Sequence, residues 1–193
     1  MNAPFQWTEE REKRMGMRCG IAVVGGNGSG KTTLGRRLAD LLGYRHMDIE
    51  KYCFPEPATV YANPLPSEEV KKRLLADIKR YERFVLSSVG GDFGEEINLF
   101  YSCAVYIQAP LAVRLARVKQ RSVDQFGSRV LKGGDLYQQE QRFFQFVATR
   151  TMEKTEGWLK RTGLPVICVD GTQPVEKNAE WLKAEIQSLL QVK

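Results

Sequence analysis

The segment Gly25-Gly26-Asn27-Gly28-Ser29-Gly30-Lys31-Thr32-Thr33 leaves this chain few folds to choose from. It fits G-x-x-x-x-G-K-[ST], the pattern of a P-loop, whose backbone N–H groups wrap a phosphate. Gly25, Gly28 and Gly30 let the backbone turn tightly without Cβ clashes. Lys31 is placed to reach the β and γ oxygens of a nucleotide, and the Thr32 hydroxyl to ligate Mg²⁺. The helix that follows adds unpaired N–H donors and a positive dipole end. The flanks agree with this placement. Ile21-Ala22-Val23-Val24 is a β-branched, apolar run that enters as a buried strand, and Leu34, Leu38 and Leu41 follow at helical spacing before Gly43 stops the helix. The expected nucleotide contacts are Gly26, Asn27, Gly28, Ser29, Gly30, Lys31, Thr32 and Thr33, with ATP and Mg²⁺ as the cofactors.

A chain of 193 residues, 42% hydrophobic and 27% charged, can bury one full core. No apolar run approaches the length of a membrane span. Met1 to Met17 carries Glu9, Glu10, Arg11, Glu12, Lys13 and Arg14 with no apolar stretch, so it reads as an extension, either a short helix from Thr8 or a loose tail. A cytoplasmic location without membrane attachment follows as the expectation. Cys19, Cys53, Cys103 and Cys168 are scattered, with no C-x-x-C pair, which argues against a zinc site and a disulfide framework. Cys19 and Cys168 fall in expected strands and read as small core residues. His46, the single histidine, also falls in a strand and reads as structural. The net charge of +6 is uneven: between Leu111 and Arg150 eight arginines and lysines stand against three carboxylates. That concentration suits a local clamp on a polyanion better than a stripe along nucleic acid, so a nucleic-acid partner is not expected.

In chain order, Tyr44 to Met47 reads as a second strand that delivers Asp48 and Glu50 to the edge where open α/β sheets bind ligands. Lys51 to Pro66, with four prolines, reads as an irregular loop. Ser67 is the expected cap of a helix with Val70, Leu74, Ile78 and Tyr81 on one face. Phe84 to Val89 forms a third strand ending at Gly90-Gly91-Asp92, where paired glycines permit close approach to a ligand. Ala104 to Ile107 is a fourth strand, followed by a helix opening at Pro110 and carrying Leu111, Leu115 and Val118. Ser122 to Gly134 is punctuated by glycine and reads as mobile. Asp135 is the expected cap of a long helical run, broken near Thr149 or Gly157. Pro165 to Val169 is the fifth strand, and Asp170-Gly171-Thr172-Gln173-Pro174 opens the last helix. This alternation predicts a parallel sheet with helices on both faces.

The chain has no N-K-x-D motif for a guanine base, no L-S-G-G-Q signature of transporter ATPases, and no apolar strand ending in Asp-Glu. It instead resembles the P-loop small-molecule and nucleotide kinases, the adenylate kinase and shikimate kinase group. The likeness rests on the order of P-loop, Asp48-Ile49-Glu50 after strand two, helical insert, glycine pair after strand three, arginine-bearing segment after strand four, and Asp-Gly-Thr turn after strand five. It implies a three-layer P-loop NTPase fold in a single domain, 1–193, with an extension at 1–17. It also implies a five-stranded parallel sheet, a mobile substrate-binding insert at about residues 51–82 and a lid at about 117–135.

By position, Asp48 resembles the first acidic residue of the shikimate-kinase D-x-D pair, able to hold Mg²⁺ through water or accept the proton of an attacking hydroxyl. Glu50 orients substrate or is a solvated turn residue. Arg117 and Arg121, four apart on one helix face, resemble lid arginines that spread charge over a transferred phosphoryl group. Gly90, Gly91, Asp92 and Arg129 fall on the acceptor side, and Thr172, Gln173 and Pro174 resemble the loop that packs against adenine. The group's D-G-F-P-R and R-P-L-L stretches are missing, with Ser87-Ser88 where an Asp is expected, so the acceptor is not named by motif. The expected activity is ATP- and Mg²⁺-dependent transfer of the γ-phosphoryl group to a nucleotide, nucleoside or other small molecule. An ATP-binding regulatory module and a nucleic-acid end kinase stand as alternatives, and the oligomeric state is open.

Overall fold

The computed structural model describes residues 19–55 and 64–191. The expectations for Met1 to Met17, and for the middle of the proline-rich stretch at 56–63, lie outside the described residues. Five strands form one parallel sheet: β1 (Cys19–Gly25), β2 (Arg45–Asp48), β3 (Arg83–Ser88), β4 (Tyr101–Gln108) and β5 (Val166–Asp170). Their order is β2-β3-β1-β4-β5, so the strand that feeds the glycine-rich loop is central and paired on both sides.

Period-two alternation along β1 sends its side chains to opposite faces. Ile21 and Val23 pack with Leu34 and Leu38 of α1 (Lys31–Leu42) and with Ala179, Leu182 and Ile186 of α8 (Val175–Gln191). Ala22 and Val24 face the other layer, where Leu74 and Ile78 of α3 (Ser67–Tyr81) meet Trp158 and Leu159 of α7 (Glu153–Arg161). Leu38, Leu74, Ile78, Leu182 and Ile186 are 0% exposed. Burial of each contributes about 1.5–3 kcal/mol relative to leaving it in water. These two apolar layers fix the sheet, and the sheet places its five C-terminal strand ends along one edge, where the candidate site residues converge.

Four further helical elements complete the described residues. These are α2 (Ile49–Cys53), α4 (Glu95–Asn98), α5 (Leu111–Phe126), which runs into a 3₁₀ turn (Gly127–Val130), and α6 (Tyr137–Thr149). Several differ from the sequence expectations. The stretch from Lys51 begins as helix, because Asp48 caps α2 by accepting the Glu50 N–H. The helix after β4 does not stop before Ser122: it continues to Phe126, since Val118 and Ser122 still face buried surface. The long run after Asp135 is two helices, α6 and α7, parted after Thr149, the first of the two expected break points. Asp135 does not cap α6, because its carboxylate is taken by Arg129 at 2.7 Å. Ser67 does not cap α3 either, for Pro66 occupies the N-cap position and Ser67 is the first helical residue. Cys168 is exposed rather than buried, because β5 is the sheet edge and pairs only with β4; Cys19, at the start of β1, is half-buried and Cys103 is buried. Among the described residues no helix is long and apolar enough to cross a membrane.

Candidate functional site

The loop from Gly25 to Gly30 leaves the C-terminal end of β1 and opens α1. Gly28 has φ +77°, and a Cβ there would collide with the backbone carbonyl of Arg114 on α5. Glycine is therefore set by helix contact as well as by phosphate geometry. Arg114 clasps the loop from outside, its Nε donating to the Ala109 carbonyl at 3.1 Å and its Nη1 to the Asn27 carbonyl at 3.4 Å.

Inside the loop, Lys31 Nζ donates to the Gly26 carbonyl at 2.9 Å. The Thr32 hydroxyl donates to Asp48 Oδ2 at 3.0 Å, while Asp48 Oδ1 accepts the Glu50 N–H at 3.1 Å. A hydroxyl and a carboxylate meeting beside the loop are hard oxygen donors that fit Mg²⁺. Among the described residues no three His, Cys, Asp or Glu side chains gather to hold a metal. A cation here would therefore draw the rest of its shell from phosphate oxygens and water, the usual habit of Mg²⁺. Ser87, where the family pattern has an acid, is buried and structural: its Oγ donates to the Lys31 carbonyl at 3.0 Å and lies 3.0 Å from His46 Nε2.

The loop faces a cavity of about 160 Å³ lined by Asn27, Lys31, Thr32, Glu50, Arg117 and Arg121 among others. Arg117 and Arg121 thus converge on one space with Lys31 and Glu50. Arg117 also donates from Nη1 to the Gly171 carbonyl at 2.9 Å and lines a second cavity of about 240 Å³ with Ser29, Thr33, Gln173 and Asn178. The turn beside it is held by Asp170, which accepts from the Thr172 N–H at 2.8 Å and hydroxyl at 2.7 Å; the Thr172 hydroxyl, with the two neighbouring donors, holds the Asp170 carboxyl below its usual range. Thr172 and Pro174 shape that turn without lining the cavity.

A third and larger cavity, about 730 Å³, opens beyond the C-terminal end of β3. Gly90, Gly91 and Asp92 line one side, and Arg150, Trp158 and Arg161 the other. Sequence spacing assigned the glycine pair to ligand approach, but a Cβ at Gly91 would strike the Trp158 indole, so this glycine is required by packing. Asp92 Oδ1 accepts from Gly94 N at 3.2 Å and Asn98 Nδ2 at 2.8 Å. Arg129 lines none of these cavities: it is exposed and paired with Asp135 through Nε at 3.0 Å and Nη2 at 2.7 Å.

The residue that spacing missed is Arg150. It lies at the joint between α6 and α7, lines the large cavity, and donates from Nη1 to the Asn27 carboxamide at 3.3 Å, across 123 residues of sequence. Its only advance signal was its place in the basic segment. Trp158 of α7, which lines the same cavity, is the other omission.

Burial lowers the Lys31 pKa to about 8, with Glu50 and Asp48 pulling it up and Arg121 and Arg150 pushing it further down. Burial together with the two guanidinium groups outweighs Glu50 and Asp48, so the ammonium gains from a further anion. Below about pH 8 Lys31 carries its proton before and after nucleotide binding; above it, the free protein is increasingly neutral and phosphate binding must draw a proton from solvent. Calorimetric titration of ATP in buffers of different ionisation enthalpy should therefore show close to one more proton taken up near pH 9 than near pH 7, with affinity falling as pH rises. Equal uptake at both would contradict this account of Lys31.

A parallel 2-3-1-4-5 sheet with a G-x-x-x-x-G-K-T loop between its central strand and helix defines a P-loop nucleotide-binding domain. The family model described as AAA domain matches residues 21–129, more than half of the chain, and the chain belongs to that family. The uncharacterized protein YqaC of Bacillus subtilis (strain 168) is 25% identical over 172 residues, covering 85% of this chain and 95% of that protein. A shikimate kinase of Gloeobacter violaceus is 31% identical over 125 residues, covering 60% of this chain and 68% of the relative. Among solved structures, a shikimate kinase from Acinetobacter baumannii in complex with shikimate covers 93% of this chain and 97% of its own, at 22% identity and a TM-score of 0.52. Kinases thus stand among both its sequence relatives and its structural neighbours.

Proposed function

We propose that the protein is an ATP- and Mg²⁺-dependent phosphotransferase of the cytoplasm that moves the γ-phosphoryl group to a small molecule: a nucleotide, a nucleoside or another hydroxyl-bearing compound. One observation carries this. The phosphate cavity and the large cavity beyond β3 are joined by the Arg150–Asn27 hydrogen bond, so a donor-shaped space and a roomier second space share one boundary. A hydrolase or a nucleotide switch needs only the first.

Within this reading, the P-loop amides and Lys31 bind the phosphates, and Thr32 with Asp48 holds Mg²⁺, which screens phosphate charge. Arg117 and Arg121 spread charge that develops on the phosphoryl oxygens, which suits a reaction limited by placement and electrostatics. Glu50, Gly90, Gly91 and Asp92 bound the acceptor, and Gln173 flanks the base on a turn set by Thr172 and Pro174. Residues 117–135 are the lid, with Arg129 parked on Asp135 until closure, and about 51–82 is the substrate-binding insert. The resemblance to shikimate kinases supports the arrangement; the large cavity supports an acceptor class without choosing its member.

A thermal-shift panel of nucleosides, nucleoside monophosphates, sugars and hydroxy acids, run with a nonhydrolysable ATP analogue and Mg²⁺, tests this. An acceptor at a hundred times its Kd stabilises by about 2.7 kcal/mol, which for a domain of this size raises Tm by about 5–10 °C. A panel in which no compound adds to the shift from nucleotide alone would count against the proposal.

A further inference from the structure

Asn27 is 9% exposed and its two acceptor oxygens are both spent on arginines: the carbonyl on Arg114, the carboxamide on Arg150. Arg150 is held from the other side by Phe146, whose ring centroid lies 5.2 Å from the guanidinium carbon. Phe146 and Arg150 are one helical turn apart at the end of α6, so the ring and the carboxamide together fix the plane of the guanidinium. Among the described residues Arg150 forms no ion pair. A guanidinium with a neutral amide on one edge and an aromatic face beneath it keeps its remaining N–H groups for an anion that arrives with a ligand.

The location says which anion. Asn27 belongs to the wall of the phosphate cavity and Arg150 to the wall of the large cavity, so the charge stands at the boundary where a phosphoryl group leaves the donor side. Arg150 also contributes to the depressed pKa of Lys31, which sets the two cations near one another across that boundary. By the P-loop pattern the loop amides take the α- and β-phosphates, which leaves the third for groups outside the loop. We infer that Asn27 is a positioning residue, that through its carboxamide it aims Arg150 at the third phosphate, and that the donor loop thereby registers whether a transferable group is present. This rests on the kinase reading above and adds to it a residue whose side chain acts through another rather than on the nucleotide itself.

The test is a binding cycle on the full chain with Mg²⁺ and two probes, ADP and the β,γ-imido analogue of ATP, in wild type, Asn27→Ala, Arg150→Met and the double variant. ADP affinity should stay within about twofold in Arg150→Met, which reports an intact loop, and in Asn27→Ala should fall far less than affinity for the imido analogue. Affinity for the imido analogue should fall about tenfold in each single variant, the scale of one hydrogen bond to a charged group. The double variant should be no weaker than Arg150→Met, since Asn27 has nothing left to position. Equal weakening toward both probes would overturn the inference by showing that Asn27 only shapes the loop, and additive losses would overturn it by showing that the residues act separately. Wild type that binds neither nucleotide would instead remove the kinase reading on which the inference stands.

Discussion

Lys31→Met is expected to lower phosphoryl transfer from ATP by about 10³-fold, at the upper end of what one preorganised electrostatic contact supplies, while leaving the protein as stable as wild type or more so. Both halves follow from one geometry. The ammonium is buried, donates among the described residues to the Gly26 carbonyl alone, and has a pKa lowered to about 8, so in the unliganded protein its charge is held at a cost. A cation whose folded pKa lies below its unfolded value of 10.5 costs stability below about pH 8, and the cost is lifted as pH rises toward 10.5. At neutral pH an apolar side chain of similar length escapes that cost. Transfer is read from ADP produced with ATP, Mg²⁺ and an acceptor that the thermal panel returns, and stability from melting of the unliganded variants. Loss of transfer with a much lower Tm would mean that Lys31 holds the fold, and retention of more than a tenth of the rate would mean that the loop does not bind the reacting phosphates.

Asp48→Asn carries the second large expectation, a fall of about 10²-fold or more in transfer, partly recovered at high Mg²⁺. The amide oxygen can still accept the Glu50 N–H and start α2, so the backbone should stay in place. What is lost is the negative charge facing the Thr32 hydroxyl at 3.0 Å. Asp48 should therefore reveal itself in the Mg²⁺ dependence: the half-saturating concentration rises in the variant, while ADP affinity without metal is little changed. An unchanged Mg²⁺ profile with the rate still depressed would assign Asp48 to the attacking hydroxyl instead of the metal.

The donor half of the site was legible in the sequence because it is local. A strand, a glycine-rich turn and a helix spanning residues 19–42 contain the whole phosphate loop, and each piece announces its conformation through β-branching, glycine or helical spacing. The five strands and their parallel arrangement were legible for the same reason, since alternating apolar runs and amphipathic helices leave one architecture open. Short elements governed by a single contact were not. Helix α2 exists because Asp48 caps it, and Ser67 and Asp135, good capping residues by type, do not cap: Pro66 and Leu136 hold the N-cap positions, and Arg129 takes the Asp135 carboxylate. The boundary between the two cavities was the least legible part. Arg150 reaches Asn27 only because the sheet brings the α6–α7 joint over the end of β1, and no spacing rule connects residues 123 apart. Gly91 makes the converse point: a glycine that looked made for a ligand is required by the Trp158 ring beneath it.

The central claim is that one edge of this sheet holds a donor and an acceptor at once, and phosphorus NMR tests it most directly. With ATP, Mg²⁺ and a compound that adds to the thermal shift, the account predicts that the γ-phosphate signal disappears while ADP and the phosphorylated acceptor, a phosphoester from a hydroxyl or a phosphoanhydride from a nucleotide, grow in, in wild type but not in Lys31→Met. Intact ATP, or conversion to ADP and inorganic phosphate with no phosphorylated acceptor, would contradict it.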